Sequence, residues 1–431
     1  MREPDGLPDG WQATTLGGLG KYLNGRAFKT SEWAKAGRPI IRIQDLTGSN
    51  RNPNYYEGEA EERHTIREGD LLVSWSATLG AYIWDGPEAV LNQHIFKVES
   101  NIDKRFHYHL LRNAIAELVR NAHGSGMVHV TKGIFDDMPV AVPESPSLQD
   151  AIAKIIDRAD EFQASASSHL VAARSAIEQF KRAVLIAACS GRLTEDWRSR
   201  NSELLSSELE TGADGIKALV EVPDSWTWRR LSDVSDIRGG IQKGAKVKAG
   251  DVLRDVPFLR VANVQRGWLD LNEMKLIGAT EKKIAELRLE PGDIFFTEGG
   301  DIDKLGRGWI WEGQIEECIH QNHVFRARLR DSHFEPKFFS WYGNTIGAAY
   351  FLSGGKQTVN LASLNMTTLK ALPVPIPCAE EQAEIVRQVE SLLSIADVLL
   401  SRIDLANGSV ERSSQAVLAK AFRGQLSPAG L

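Results

Sequence analysis

The chain has 431 residues, of which 42% are apolar and 25% charged, and a formal net charge of −6. That length exceeds what one core serves at ordinary domain sizes and implies two to four domains of an ordinary globular composition. The acidic balance excludes global electrostatic attraction as the basis of nucleic-acid binding, which would need local basic clusters or a basic partner.

Residues 1–150 carry 16 basic and 20 acidic side chains, and residues 221–378 carry 21 and 20, so neither stretch is a basic body. No apolar run approaches the roughly eighteen residues of a membrane span. The opening MREPDGLPDGW lacks the apolar segment of a secretory signal. Cys189, Cys318 and Cys378 stand far apart without a C-x-x-C pair, which points to a reducing, cytoplasmic setting and away from a disulfide framework.

In chain order, RPIIRIQDL (38–46), DLLVSW (70–75), GAYIW (80–84) and LNQHIFKV (91–98) read as strands, being rich in branched and aromatic residues and punctuated by glycine. KRFHYHLLRNAIAELVRNA (104–122) reads as an amphipathic helix with Phe106, Leu110, Ile115 and Leu118 on one side. A proline-bearing stretch then closes the mixed region.

After it the period changes. Positions 152, 156, 159, 163, 166, 170, 173, 177, 180, 184 and 187 step by four and three and are apolar except Gln163. This is a heptad seam about five repeats long, which one helix cannot bury alone. Gly191 stands where such a helix stops. DWRSRNSELLSSELETGADG (196–215) is polar and reads as a linker.

The remainder repeats what came before. LPDGWQATTLGGL (7–19) matches VPDSWTWRRLSDV (222–234), and REGDLLVSW (67–75) matches EPGDIFFTE (290–298). NQHIFKV (92–98) matches QNHVFRA (321–327), and MPVAVP (138–143) matches LPVPIP (372–377). AVLIAACSGRLT (183–194) matches AVLAKAFRGQLS (416–427), and KFFSWYGNTIGAAYFL (337–352) is the counterpart of the amphipathic helix. The heptad recurs from Ile385 to Lys420, broken only by Ser413 and Lys420, and Gly424 follows it. Five phrases in one order indicate a tandem duplication of a unit of roughly 200 residues, too long for a solenoid repeat.

The expected fold is α+β: two tandem-repeated α/β target recognition domains separated by an antiparallel two-helix coiled coil. The expected boundaries are 1–147 for the first domain, 148–195 for the first helix and 196–220 for the linker. Residues 221–378 form the second domain, 379–424 the second helix and 425–431 a tail. Each stripe is best covered by the other copy's, and a pseudo-twofold makes that pairing antiparallel.

Catalytic signatures fail. SGGKQT (353–358) resembles a phosphate loop, but Tyr350 stands where the first glycine is required. GGLGKYLNG (17–25) lacks the dinucleotide spacing, and NPNYY (52–56) lacks the second proline of the amino-methyltransferase loop it resembles. His107 and His109 sit two apart in a helical pattern and point apart, which disfavours a metal pair. No G-x-S-x-G, H-E-x-x-H or carboxylate dyad appears.

GSGMVHVTKGIFDDMPVAVP (124–143), followed by a heptad helix, resembles the specificity subunit of type I restriction–modification enzymes. SGGKQTVNLASLNMTTLKALPVPIPCAEEQAEIV (353–386) resembles it more strongly, with its N-L-x-x-L step, P-x-P exit and Glu381-Gln382 pair. The first copy departs from the pattern with Leu148-Gln149 and with Ala188-Cys189-Ser190-Gly191. The resemblance implies a chain that is not itself an enzyme. Each recognition domain would read half of a bipartite, asymmetric site on double-stranded DNA. The helices would fix the spacing and dock two modification (adenine methyltransferase) subunits, which restriction and translocase subunits join. S-adenosylmethionine, ATP and Mg2+ would belong to those partners, and no membrane is involved.

If the halves read different sequences, residues identical in both cannot discriminate. Trp11 and Trp226, Gly69-Asp70 and Gly292-Asp293, and His94 and His323 are therefore expected to be framework, with both histidines buried and hydrogen-bonded. Discriminating residues should be polar, loop-borne and different between copies. The candidates are Arg26, Lys29, Gln44, Ser74, Ser76, His129 and Lys132 in the first copy. In the second they are Gln242, Lys243, Lys246, Arg260, Asn263, Lys356, Gln357 and Thr358. Arginine and lysine suit guanine, and asparagine and glutamine suit adenine, through paired bonds worth ~1–3 kcal/mol. Two alternatives stay open from sequence: a coiled-coil scaffold with two protein-binding domains, and a stand-alone enzyme.

Overall fold

The computed structural model describes residues 7–50, 52–121, 132–205, 216–242, 244, 251–300, 304–354, 356–357 and 362–426. They fall into two compact units, Met1–Val171 with Asp404–Leu431, and Ala172–Ile403.

The first unit is built on β1 (Trp11–Thr15), β2 (Gly20–Asn24), β3 (Arg38–Ile41), β4 (Asn54–Tyr56), β5 (Thr65–Ile66), β6 (Leu71–Ser74), β7 (Gly80–Ile83), β8 (Ala89–Leu91) and β9 (Ile95–Ser100). Helix α1 (Lys104–Asn121), β10 (Pro139–Pro143) and the long helix α2 (Pro146–Cys189) follow. One antiparallel sheet has the order β2-β9-β6-β7 and a second the order β4-β3-β8-β5, with β3 and β8 parallel; β1 pairs with β10. Strand β6 is buried at all four positions because its alternate side chains serve two cores. Leu71 and Val73 join Phe96 and Phe106 under α1, while Leu72 joins Ile41, Leu91 and Ile95 between the sheets.

The second unit repeats this plan in β11 (Thr227–Arg230), β12 (Ser235–Arg238), β13 (Arg254–Leu259), β14 (Lys275–Ala279), β15 (Ile294–Thr297), β16 (Ile319–His320) and β17 (Val324–Leu329). Then come α3 (Pro336–Asn344), α4 (Ile346–Gly354), β18 (Pro373–Ile376) and the long helix α5 (Ala379–Ala421). Here β13 and β16 are the parallel pair, and β11 pairs with β18. Strand β15 again divides its side chains, Ile294 and Phe296 into one core and Phe295 into another.

Two strands expected from sequence are interrupted. In 38–46 the chain leaves β3 and turns, because the Asp45 carboxylate accepts the Arg42 backbone N–H at 2.8 Å. In 91–98 a turn separates β8 from β9, with Ile95 N–H on the Asn92 carbonyl at 3.2 Å. The counterpart of α1 is also not one helix. Asn344 turns its amide onto both backbone groups of Gly308, at 3.0 and 2.7 Å, and Thr345 leaves the helical conformation between α3 and α4.

Each unit holds the start of one long helix and the end of the other. In the first, Ile152 and Ile156 of α2 share a core with Leu418, Ala421 and Phe422. In the second, Val184, Ala188 and Cys189 share one with Ile385 and Val389. Lys181 Nζ meets Asp397 Oδ1 at 3.1 Å, so the helices run antiparallel within the unit. The coiled-coil pairing stands, but its stripe is not the strict heptad. A covered stripe in α2 runs through 152, 156, 159, 163, 166, 170, 174, 177, 181, 184 and 188, whereas Ala173 and Phe180 are exposed. In α5 the stripe likewise slips from 399, 413 and 420 to 400, 414 and 421. Ten steps cover 36 residues in each helix. That is the ~3.6 of a straight α-helix, from which a strict ~3.5 repeat drifts by about one residue over this length.

Both helix ends stop as expected. Gly191 and Gly424 have φ of 75° and 67°, the left-handed region, and the Leu193 and Gln425 N–H groups close the last turns on the carbonyls of Ala187 and Lys420. The segment after Gly191 is less free than its composition implies. Glu195–Arg200 and Ser202–Leu205 are short helices, and Arg198 is anchored to Glu381.

The glutamines that open the long helices explain why the first copy tolerates Leu148. Gln149 accepts the Asp103 N–H and donates to the Pro143 carbonyl; Gln382 accepts the Glu335 N–H and donates to the Pro377 carbonyl. Each ties helix start, strand end and the preceding helix together. The neighbouring position differs: Leu148 packs in an apolar core where Glu381 is buried in a polar network.

Buried histidines give the fold an acid limit. His107 lies between Tyr22 Oη at 2.9 Å and Ser100 Oγ at 2.8 Å, and His320 meets the Val324 carbonyl at 2.8 Å. Burial pushes both imidazoles down to about 4. An unfolded histidine titrates near ~6.5, so the unfolded chain binds more protons between those values and stability falls as pH drops through that window. Each group contributes at most about 3 kcal/mol, fully present above pH ~6.5. Denaturation midpoints should fall from pH 6.5 to 4.5, and His320→Phe should flatten that slope in Ala172–Ile403. An unchanged slope would count against this assignment.

Candidate nucleic-acid interface

In the first unit three turns meet around a cavity of about 410 Å³. Arg42, Ile43, Gln44, Thr47 and Ser49 come from the turn after β3, Ala77 and Thr78 from the β6–β7 loop, and Asn92 and His94 from the β8–β9 turn. Parallel pairing of β3 with β8 brings the first and third turns together, and Asn92 N–H bonds the Ile41 carbonyl at 3.0 Å. The first turn is rigid: Asp45 accepts from Arg42 N–H and Asn50 Nδ2, and the Gln44 carbonyl accepts the N–H groups of Ser49 and Asn50. In the second, Ser74 Oγ donates to the Thr78 carbonyl at 2.6 Å. Ala77 has φ 57°, the left-handed region that a residue with a Cβ seldom occupies.

The same three turns recur in the second unit. Arg260 N–H is accepted by Asn263 Oδ1 at 3.0 Å, Gln321 N–H by the Leu259 carbonyl at 2.9 Å, and Thr297 Oγ1 donates to the Lys304 carbonyl at 2.8 Å. Gly25 and Gly240 allow the chain to pass the third turn. A Cβ on either would lie 2.2 Å from the Asn92 oxygen or 1.8 Å from the His320 oxygen.

The side-chain heads differ between copies. His94 is half-buried, its ring 5.4 Å from the Trp75 ring and its Nδ1 buried without a partner. His323 is exposed, and Glu298, at the position of Trp75, accepts from its Nδ1 at 2.5 Å. The expectation that both are buried framework is corrected: the turn that interrupts the strand carries His94 to the cavity and leaves His323 exposed. The buried histidine of this region is His320, whose counterpart Leu91 is apolar, so no repeat comparison could reveal it. The Gly-Asp pairs do serve the framework. Gly69 and Gly292 have φ of 85° and 93°, and Asp70 and Asp293 accept the N–H groups of Arg67 and Glu290.

The candidate residues separate by what already satisfies them. Ser74 is buried, its hydroxyl holding the loop, and Asn263 is buried with its amide on Arg260 N–H and the carbonyls of Asp270 and Glu273. Arg26 meets Glu32 at 2.6 Å and lies over Phe28 and Tyr56; Arg260 Nη2 meets the Glu273 carbonyl at 3.0 Å. Ser74 and Asn263 are thus enclosed by their own turns, while Arg26 and Arg260 each keep a buried Nε without a partner. Lys29 and Gln242 are exposed, and Ser76 is half-buried in the β6–β7 loop. Lys132 reaches over the Phe96 ring, which stacks on Trp75 beside His94. Among the described candidates Gln44 alone lines the cavity; Arg42 and Asn92 line it too and were not among the candidates, because availability depends on which neighbours satisfy a side chain. His129, Lys243, Lys246 and Thr358 lie outside the described residues. Lys356 and Gln357 form a short strand paired with Ser363 and Ala362, and their side chains are outside the described ones.

Elsewhere the ionisable groups serve packing. His109 meets Asp157 at 2.6 Å, and burial pushes the thiols of Cys189 and Cys318 up to about 12. No group of potential metal ligands and no helix long and apolar enough to cross a membrane occurs among the described residues.

Comparison with known proteins agrees with this duplicated plan. The family model for the type I restriction modification DNA specificity domain matches residues 8–169 and again 223–403. The chain is 29% identical to the type I restriction enzyme EcoBI specificity subunit of Escherichia coli over 97% of its own length and 87% of that relative. It is 26% identical to the EcoKI specificity subunit of Escherichia coli strain K12, over 97% and 90%. The HsdS subunit from Thermoanaerobacter tengcongensis superposes with a TM-score of 0.59 at 20% identity, covering 99% of this chain and all of that one. A chain from a structure describing assembly and conformational transition of the type I R-M system superposes with a TM-score of 0.69 at 19% identity, covering 98% and 100%. With its domain matched twice and its three-turn site built twice, the chain belongs to the type I restriction-modification DNA specificity family.

Proposed function

We propose that this chain is the non-catalytic DNA-specificity subunit of a type I restriction–modification complex, each recognition domain reading one half of a bipartite, asymmetric site. The observation that carries this is one backbone scaffold built twice, with different heads on the same turns: Gln44 against Ala262, Asn92 against Gln321, Trp75 against Glu298. A fixed scaffold with exchanged polar heads is how base readout is varied without refolding.

The paired helices set the half-site spacing and dock two modification subunits. Phe162, Val171 and Leu405 in one unit, and Phe180, Ile395, Val398 and Leu399 in the other, are exposed apolar side chains of these helices. Such residues suit a helical partner. S-adenosylmethionine, ATP and Mg2+ act on the modification and restriction–translocase subunits, in the cytoplasm. Those partners supply much of the phosphate attraction that an acidic chain lacks.

Co-production with its methyltransferase should place adenine methylation on a two-part sequence, and methylation mapping with and without the chain tests this. Marks independent of the chain would overturn the reading. Marks absent while the chain still captures protein partners would favour a scaffold.

A further inference from the structure

The polar heads of Arg42, Gln44 and Asn92 converge at the cavity of the first recognition domain. The Arg42 guanidinium lies 4.4 Å from the Trp33 ring centre, and none of its N–H groups meets an acceptor among the described residues. The side-chain amides of Gln44 and Asn92 likewise make no hydrogen bond within the described residues. His94 Nδ1 is buried and unpartnered. Buried polar atoms are nearly always paired, and this one belongs to a side chain that lines the cavity beside three further polar heads. Ala77, with its positive φ, also lines the cavity. Strain of this kind persists where the surroundings impose it and concentrates at binding sites.

We propose that Arg42, Gln44, Asn92 and His94 form the base-reading cluster of the first recognition domain. This rests on the DNA-specificity reading given above. Two carboxamides and a guanidinium on rigid turns match purine edges: each amide can bond adenine N6 and N7, and the guanidinium guanine O6 and N7. The Trp33 ring beneath Arg42 and the edge-on contact of Trp75 with His94 restrict both side chains and lower the ordering cost on binding. The second domain cannot read the same bases with these positions. Arg260 is held by the Glu273 carbonyl, Ala262 replaces Gln44, and His323 is held by Glu298. The cluster therefore supplies the asymmetry of the site from its first half.

The test uses the complete methyltransferase complex. DNA from cells carrying the wild-type chain, Gln44→Ala or Asn92→Ala is mapped for methylation at single-base resolution. Gln44 is exposed, so its truncation leaves the core intact. Each variant should relax one or two positions of the first half-site, with binding to the original site falling about 5- to 100-fold, and leave the second half-site unchanged. An unchanged motif in both variants would overturn the cluster. So would a uniform loss of methylation with the motif intact, which marks a phosphate or packing role, or a change confined to the second half-site. Wild-type protein that directs no bipartite methylation fails differently, because it removes the specificity reading itself.

Discussion

Glu381→Leu should destabilise the unit Ala172–Ile403 by about 3–5 kcal/mol, although leucine is what the first copy carries at the same place. Glu381 is fully buried and accepts from Thr194 Oγ1 at 2.7 Å, Arg198 Nη1 at 2.5 Å and Trp226 Nε1 at 2.8 Å. Removing the carboxylate leaves the Thr194 hydroxyl and the Trp226 indole N–H without an acceptor, and a largely buried guanidinium with its countercharge gone and Thr194 Oγ1, at 3.0 Å, as its remaining partner. The cost comes from those orphans more than from the lost attraction. Adding Arg198→Leu should therefore recover most of the loss. The remainder, about 1–3 kcal/mol, belongs to Trp226 and the buried Thr194 hydroxyl. Denaturation followed by tryptophan fluorescence, with hydrogen exchange to locate the change, checks both variants. A double variant as unstable as the single one would show that the network's charge balance is not what holds the helix start.

Asp293→Ala should cost about as much, and far more than Asp70→Ala at the matching position of the first unit. Asp293 is fully buried, accepts Glu290 N–H at 2.8 Å and takes Arg328 in a two-pronged contact at 2.7 and 2.8 Å. Its field also offsets the burial that holds the Arg326 guanidinium below its ordinary range. The expected loss is about 3–5 kcal/mol. Asp70 is partly exposed and meets Lys97 at 3.1 Å, a single-point contact that water screens, so its loss should be about 1 kcal/mol. Equal losses at the two sites would contradict this account. The turn and its glycine are common to both, so the difference reports what burial and the two-pronged arginine contact add.

Much of the plan was legible because duplication and period are properties of the chain itself. The matched phrases pair Gly69 with Gly292, and in the structure both take the same left-handed turn. The helix stops at Gly191 and Gly424 were legible because a left-handed residue after an apolar stripe is a local event. The stripe's register was not, since a strict heptad and a straight helix differ by about one residue only after several turns. The interrupted strands were missed because Asp45 and Asn92 end them through bonds to nearby backbone, which apolar alternation does not report. His94 and His323 were misplaced for that reason.

The sequence by itself determined the tandem duplication, the two long apolar stripes with their stops, and the set of positions at which the copies differ. These are encoded in residue order and need no partner. Only the tertiary structure decided which polar side chains remain available. Asn263 and Gln44 are equally suited to a base on paper, yet one is enclosed by backbone carbonyls and the other opens on a cavity. The physical reason is that a hydrogen-bonding group is satisfied by whatever lies within about 3 Å of it, and distant segments of the chain supply those atoms.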